Sequence, residues 1–332
     1  MDLKRVGAVP RRNAGELFNQ EIDHHPHLGA QVAPTRVDRQ HVDLRQVKIG
    51  QYAHQPPGAQ IGADQKRRLP DDAAAADGHR ARGQSDRIKY IIVHYTVSDL
   101  PRSIKILTTQ DVSAHYLVTD ADQPTVYQLV DESRQSNHAG YSNWKIYNQL
   151  NAASIGIEIV NPGFKDTPEG RVWYPFKPAQ VDQLVVLLKD IVKRHNIKPE
   201  NILGHNEIAP QRKLDPGPLF PWKRLADEGL IAWPEPSRVA ARLSGYQEQL
   251  PDIFWFQRTL AQVGYAVPQT GVFDQATRNV VAVFQTKYRP ALFDGTPDAE
   301  TAALLDVLTS PLPVLPLAPT PVPAGPETAP VE

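Results

Sequence analysis

Cysteine is absent from all 332 residues, which excludes disulfides, thiolate metal sites, a cysteine nucleophile and a lipid-attachment cysteine within this sequence. Charge of one sign is also missing. With 36 basic residues against 37 acidic ones, composition makes no general case for nucleic acid or an anionic membrane as partner. No apolar run has the length of a signal peptide or a spanning helix. Methionine occurs once, at Met1. Aromatics are scarce over residues 1–86, where Phe18 and Tyr52 stand alone beside His24, His25, His27, His41, His54 and His79. Too little apolar surface is available there to offset backbone ordering, so 1–86 is expected to be a disordered leader. It also reads as a mis-called translation start that would have replaced an export signal. The HHPH run at 24–27 has no acidic or cysteine partner at ligand spacing, which counts against a metal role.

What is present begins at Arg87. Tyr90, Ile91, Ile92 and Val93 form an apolar, largely β-branched run ending at His94, and a histidine at the end of a buried strand can line a cleft. His115–Thr119 and Thr125–Val130 flank turn chemistry at 120–124 and read as a hairpin. The block Asn137-His138-Ala139-Gly140 then interrupts regular structure. In 154–160, Ile155, Ile157 and Ile159 alternate with Gly156, Glu158 and Val160. Glu158 therefore shares its face with a glycine, which leaves space beside the carboxylate. Burying an unpaired carboxylate is costly, so packing explains Glu158 poorly. A general base, a metal partner or a structural salt bridge each would. Pro178 to Asn196 is the clearest helix, with Val181, Leu184, Val185, Leu188, Ile191 and Val192 on one stripe. His195 in its last turn suits the helix dipole better than a metal.

Residues 204–222, GHNEIAPQRKLDPGPLFPW, place His205, Lys213 and Asp215 on one stretch stiffened by Pro210, Pro216, Pro218 and Pro221. That much proline predicts a loop, neither helix nor central strand. Imidazole and carboxylate together suit zinc, whose three protein ligands would leave one position for water. The pair needs a third ligand and a base from elsewhere in the chain. Lys213 has a plain alternative, a surface ion pair with Asp215.

The blocks IIVHYT, VSAHYLVT, NHAG, SIGIEIVN and GHNEIAPQRKLDPGPLFPW, spread over roughly 88–234, resemble in this order the zinc-dependent N-acetylmuramoyl-L-alanine amidases of the type 2 family. That family shares its fold with peptidoglycan-recognition proteins. The resemblance implies an α/β fold, a mixed central sheet flanked by helices. It implies Zn2+ held by His94, His205 and Asp215, with Glu158 as catalytic acid/base and Lys213 beside the scissile carbonyl. His138 would line the substrate groove. Peptidoglycan or its muropeptides would be the substrate, and the periplasm or outer-membrane-associated envelope the location. A non-catalytic wall-binding protein and a cytoplasmic amidase recycling anhydro-muropeptides are the alternatives.

After the amidase domain, 87–236, residues 237–249 are expected to be a linker. Stripes at Ile253, Phe256, Leu260 and Val263, then Val280, Val281, Phe284 and Tyr288, then Leu304, Leu305 and Leu308, predict a three-helix bundle over 250–309. Thr296-Pro297 is read as the third helix's cap and first residue. GVFDQATRNVVAVFQ resembles a peptidoglycan-binding domain, which predicts a separable wall-binding module; a structural cap on the amidase domain is the other reading. The tail 310–332, dense in proline, is expected to be extended and disordered.

Overall fold

The computed structural model describes residues 86–310 together with Arg45–Val47. Strand β1 is Arg45–Val47, β2 is Tyr90–Tyr95, and helix α1 is Leu100–Thr109. Next come β3 (Tyr116–Val118), β4 (Val126–Gln128), the hairpin β5 (Asn143–Trp144) and β6 (Tyr147–Asn148), and β7 (Ser154–Ile159). A second hairpin, β8 (Phe164–Thr167) and β9 (Gly170–Trp173), precedes α2 (Pro178–His195) and β10 (Ile202–Gly204). Helices α3 (His205–Ile208), α4 (Trp222–Asp227), α5 (Pro236–Glu248), α6 (Ile253–Val263), α7 (Gln275–Tyr288) and α8 (Ala299–Thr309) follow.

The main sheet has the order β1-β4-β3-β7-β2-β10. Strands β3, β7, β2 and β10 are parallel, and β4 runs antiparallel between β3 and β1. Strand β2 is buried along its whole length, as its continuous apolar run requires of a parallel strand covered on both faces. On one face Ile91, Val93, Ile155, Ile157 and Ile159 pack with Leu184, Leu188 and Ile191 of α2 in a single apolar cluster. Each fully buried aliphatic there contributes about 2 kcal/mol of burial. Pro178 opens α2, and Asn196 in the left-handed conformation ends it, its N–H donating to the Val192 carbonyl. The opposite face carries Tyr90, Ile92 and His94 of β2 beside Ser154, Gly156 and Glu158 of β7, paired residue for residue.

That second face is covered by the C-terminal helices. Tyr90, Ile92, Leu203 and Ile208 belong to one cluster with Phe256, Leu260, Tyr265, Val280, Phe284 and Leu305. The bundle and the α/β unit therefore share a core. A buried ion pair sits in the seam: Lys287 Nζ lies 2.9 and 3.1 Å from the Glu207 carboxylate oxygens and donates to the Ile202 carbonyl at 3.3 Å. Tyr265 and the Gly204 N–H also donate to Glu207, at 3.1 and 2.7 Å. Gly264, ending α6 at φ +141°, lies against Trp144, where a Cβ would come within 2.6 Å of the indole.

Four expectations are revised. Residues 237–249 are not a plain linker, since α5 covers most of them, capped by Glu235, whose side chain accepts from the N–H groups of Ser237 and Arg238. Helix α8 is capped by Asp298 rather than Thr296. The proline-rich 204–222 stretch begins with the helical turn α3, because its first proline comes only at Pro210. Within 1–86, Arg45–Val47 adds an edge strand, β4 having an edge free to accept it. The remainder of that leader before residue 86, its histidines included, and the tail from 311 lie outside the described residues.

Candidate active site

The parallel strands β2, β7 and β10 end at one edge of the sheet, and the polar side chains gather there. His94 is the fifth residue of β2, and His205 follows β10 directly. The Asn206 N–H donates to the Asp215 carbonyl at 2.8 Å, folding the proline-rich loop back over the strand ends. Three ligand-type atoms converge as a result. His94 Nδ1 lies 2.9 Å from His205 Nδ1, and each of these nitrogens is 3.0 Å from Asp215 Oδ2. All three residues are buried.

This triangle suits a small divalent cation. Ligand atoms 2.0–2.1 Å from a tetrahedral zinc stand roughly 3.3 Å apart, close to the separations here, and two imidazoles with a carboxylate form a familiar zinc donor set. His205 is pre-set for the task. Its Nε2 lies 3.2 Å from the Ala139 carbonyl, which can only accept, and 3.4 Å from Arg212 Nη2, whose protons go to the closer Ala139 and Tyr141 carbonyls, so the proton is assigned to Nε2 and Nδ1 keeps its lone pair. Burial lowers the His205 pKa to about 4, favouring neutral imidazole. Burial alone would raise that of Asp215, and a divalent cation held by the triangle would oppose it and keep the carboxylate ionised. Among the described residues this is the one grouping of three or more such side chains within metal-binding reach of one another.

Glu158 pairs in register with His94 on the adjacent strand and lines the same cleft. Its Oε2 is buried with no hydrogen-bond partner, and burial raises its pKa to about 7. His94 opposes that shift, and a divalent cation nearby would oppose it further. No structural salt bridge to Glu158 is present among the described residues. Lys213 is half-buried on the cleft wall, and among the described residues no carboxylate pairs with it, Asp215 included. His138 reaches the cleft with one edge only. Its Nδ1 lies 3.0 Å from His94 Nε2 and its Nε2 3.1 Å from Ser154 Oγ, so both ring nitrogens point into the protein. His195 stays apart, bonded to Glu132 at 2.8 Å.

The cleft, about 230 Å3, has an apolar wall that sequence reasoning missed: Ile106 and Leu107 of α1 with Val112 beyond it. Arg212 was missed as well. It donates to the Ala139 carbonyl at 2.6 Å and the Tyr141 carbonyl at 2.7 Å, pinning the loop that orients His205.

Residues 84–218 match the family model described as N-acetylmuramoyl-L-alanine amidase, and 249–305 match a putative peptidoglycan binding domain. The chain is 42% identical over 235 residues to N-acetylmuramoyl-L-alanine amidase AmiD of Escherichia coli K12, spanning 69% of this chain and 85% of that protein. The solved structure of E. coli AmiD in complex with the substrate anhydro-N-acetylmuramic acid-L-Ala-D-γ-Glu-L-Lys superposes with a TM-score of 0.65 at 41% identity, covering 70% of this chain and 92% of that one. AmpDH3 of Pseudomonas aeruginosa, in complex with anhydromuramic pentapeptide, superposes with a TM-score of 0.66 at 33% identity, covering 70% and 95%.

Proposed function

The chain belongs to the N-acetylmuramoyl-L-alanine amidase family and hydrolyses the amide joining N-acetylmuramic acid to L-alanine, and we propose that His94, His205 and Asp215 hold a zinc ion for this reaction while Glu158 moves the proton. Zinc, when bound, supplies Lewis acidity that polarises a carbonyl and brings the pKa of water to about 7. The chain's own residues do the rest. Glu158, as carboxylate, accepts a proton from the attacking water and returns it to the alanine nitrogen as the C–N bond breaks. Its burial makes the carboxylate a stronger base, which favours taking that proton. Lys213, a cation on the cleft wall with no carboxylate partner among the described residues, stabilises charge developing on the carbonyl oxygen, an interaction worth about 3 kcal/mol when well aimed. Ile106, Leu107 and Val112 offer the substrate an apolar surface.

The convergence of three ligand atoms at about 3 Å beside a buried carboxylate oxygen without a partner supports this reading most directly. It also weighs against a binder without turnover, which would have no use for the full set. Muropeptides and peptidoglycan are the substrates, with the cell envelope, periplasmic or outer-membrane-associated, as the proposed site of action. No described helix is long and apolar enough to cross a membrane. Glu158→Gln should keep zinc content and folding while turnover of a muropeptide falls roughly 10²–10⁴-fold, the range for lost acid–base catalysis. Asp215→Asn should lose zinc and activity together. Near-normal turnover in Glu158→Gln would overturn the mechanism.

A further inference from the structure

We propose that His138 is a positioning residue which, working through Ser154, holds His94 in the one tautomer that can bind a metal. This rests on the zinc reading above. A neutral imidazole carries one proton, and a ligand nitrogen must be bare. His94 turns Nδ1 toward His205 and Asp215 and Nε2 toward His138 Nδ1 at 3.0 Å. Taken alone, that last contact could be donated from either side. Ser154 decides it.

Ser154 Oγ lies 2.6 Å from the Leu150 carbonyl, which accepts only, so the single hydroxyl proton is committed there. Toward His138 Nε2, at 3.1 Å, the same oxygen can then only accept. His138 therefore carries its proton on Nε2. Buried, with no carboxylate partner among the described residues, it is neutral, and its Nδ1 is bare. His94 Nε2 must be the donor across the remaining contact, which leaves His94 Nδ1 with its lone pair facing the triangle. One carbonyl thus sets the polarity of three consecutive hydrogen bonds.

The surroundings are shaped for this relay. Gly156, opposite Ile92 on the sheet face that carries His94, is the space the imidazole occupies: a Cβ there would lie 2.3 Å from His138 Cγ. The glycine beside Glu158 leaves room for His138. Asn151 Oδ1 accepts from the N–H groups of both His138 and Ala139, at 3.1 and 2.7 Å, fixing the dipeptide's backbone. Ala139 in turn supplies the carbonyl that receives His205 Nε2–H. Two consecutive residues therefore set both histidines, His138 by its ring and Ala139 by its carbonyl.

The test is zinc affinity of the full chain, measured by competition with a chromophoric chelator, for Ser154→Ala, His138→Phe and the double variant, with melting of each metal-free protein alongside. Loss of an outer hydrogen-bond partner typically weakens metal binding 10–100-fold, and each single variant should fall in that range. The double variant should be no weaker than His138→Phe, because both changes break the same relay. Ser154→Ala removes one hydroxyl only, so it reports even if His138→Phe does not fold. Zinc affinity of Ser154→Ala within twofold of the unaltered chain would overturn the proposal, as would a change confined to metal-free melting or to KM. An unaltered chain that binds no zinc would instead overturn the metal reading itself.

Discussion

Replacing Lys287 by methionine keeps the length and apolar stem of the side chain and removes its charge, which strands the Glu207 carboxylate in the seam between bundle and sheet. Lys287 and Glu207 have side chains only 5% and 2% exposed, so water cannot compensate. Removing one member of a buried pair costs about 3–5 kcal/mol, chiefly as the penalty of the orphaned charge. Glu207 keeps donors from Tyr265 and the Gly204 N–H, which places the expected loss near the lower end, about 3 kcal/mol. For a unit of this size a Tm shift of roughly 2–4 °C per kcal/mol follows, or about 6–12 °C in all. Calorimetry on the full chain would measure it. The double variant Glu207→Gln, Lys287→Met should recover part of the loss, since no buried charge is left unpaired. The variant should also still melt in one transition, because Ile92 and Leu203 share a cluster with Phe256 and Phe284. A Tm change below about 2 °C, or two separate transitions in the unaltered chain, would refute the idea of one cooperative core.

Deleting everything after Glu248 would uncover Tyr90, Ile92, Leu203 and Ile208 and strand Glu207; the fragment should aggregate or lose its melting transition, where a separable module would leave cleavage of a short muropeptide intact. A strong zinc chelator should abolish muropeptide cleavage and added zinc should restore it; full activity in metal-free protein would refute the metal assignment. Burial would raise the pKa of Glu132, but hydrogen bonds from Arg194, His195 and Tyr116 outweigh it and lower the pKa to about 2. The folded state therefore binds fewer protons than the unfolded one, and this stabilisation, roughly 3 kcal/mol, is complete above the ordinary pKa of 4.5 and is lost as pH falls toward 2. Glu132→Gln should thus lower Tm at pH 6 much more than at pH 3; equal losses at both would exclude the ion network as the cause.

Much of the frame is written in local periodicity. The alternation of Ser154–Ile159 assigns Ile155, Ile157 and Ile159 to one face and Glu158 to the other, as observed, because successive side chains of a regular strand point to opposite faces. The α2 stripe, the hairpin of β3 and β4, and the run ending at His94 were legible for the same reason. Helix α5 was not, because its apolar stripe is narrow, Val239, Leu243 and Tyr246, and none of its residues is fully buried; its cap at Glu235 was the other available signal.

Periodicity states which face a residue occupies but not what it meets there. Gly156 read as empty space beside Glu158, and only the tertiary structure decided that the ring of His138, from a distant loop, fills it. Lys287 and Glu207 lie 80 residues apart, each unremarkable in its own segment, and become a pair only when the bundle docks on the sheet. The sequence by itself determined the elements and the residue types at the strand ends. The tertiary structure decided which nitrogen of each histidine is bare, because a tautomer is set by the partner on the far side of the ring, and that partner is a matter of long-range packing.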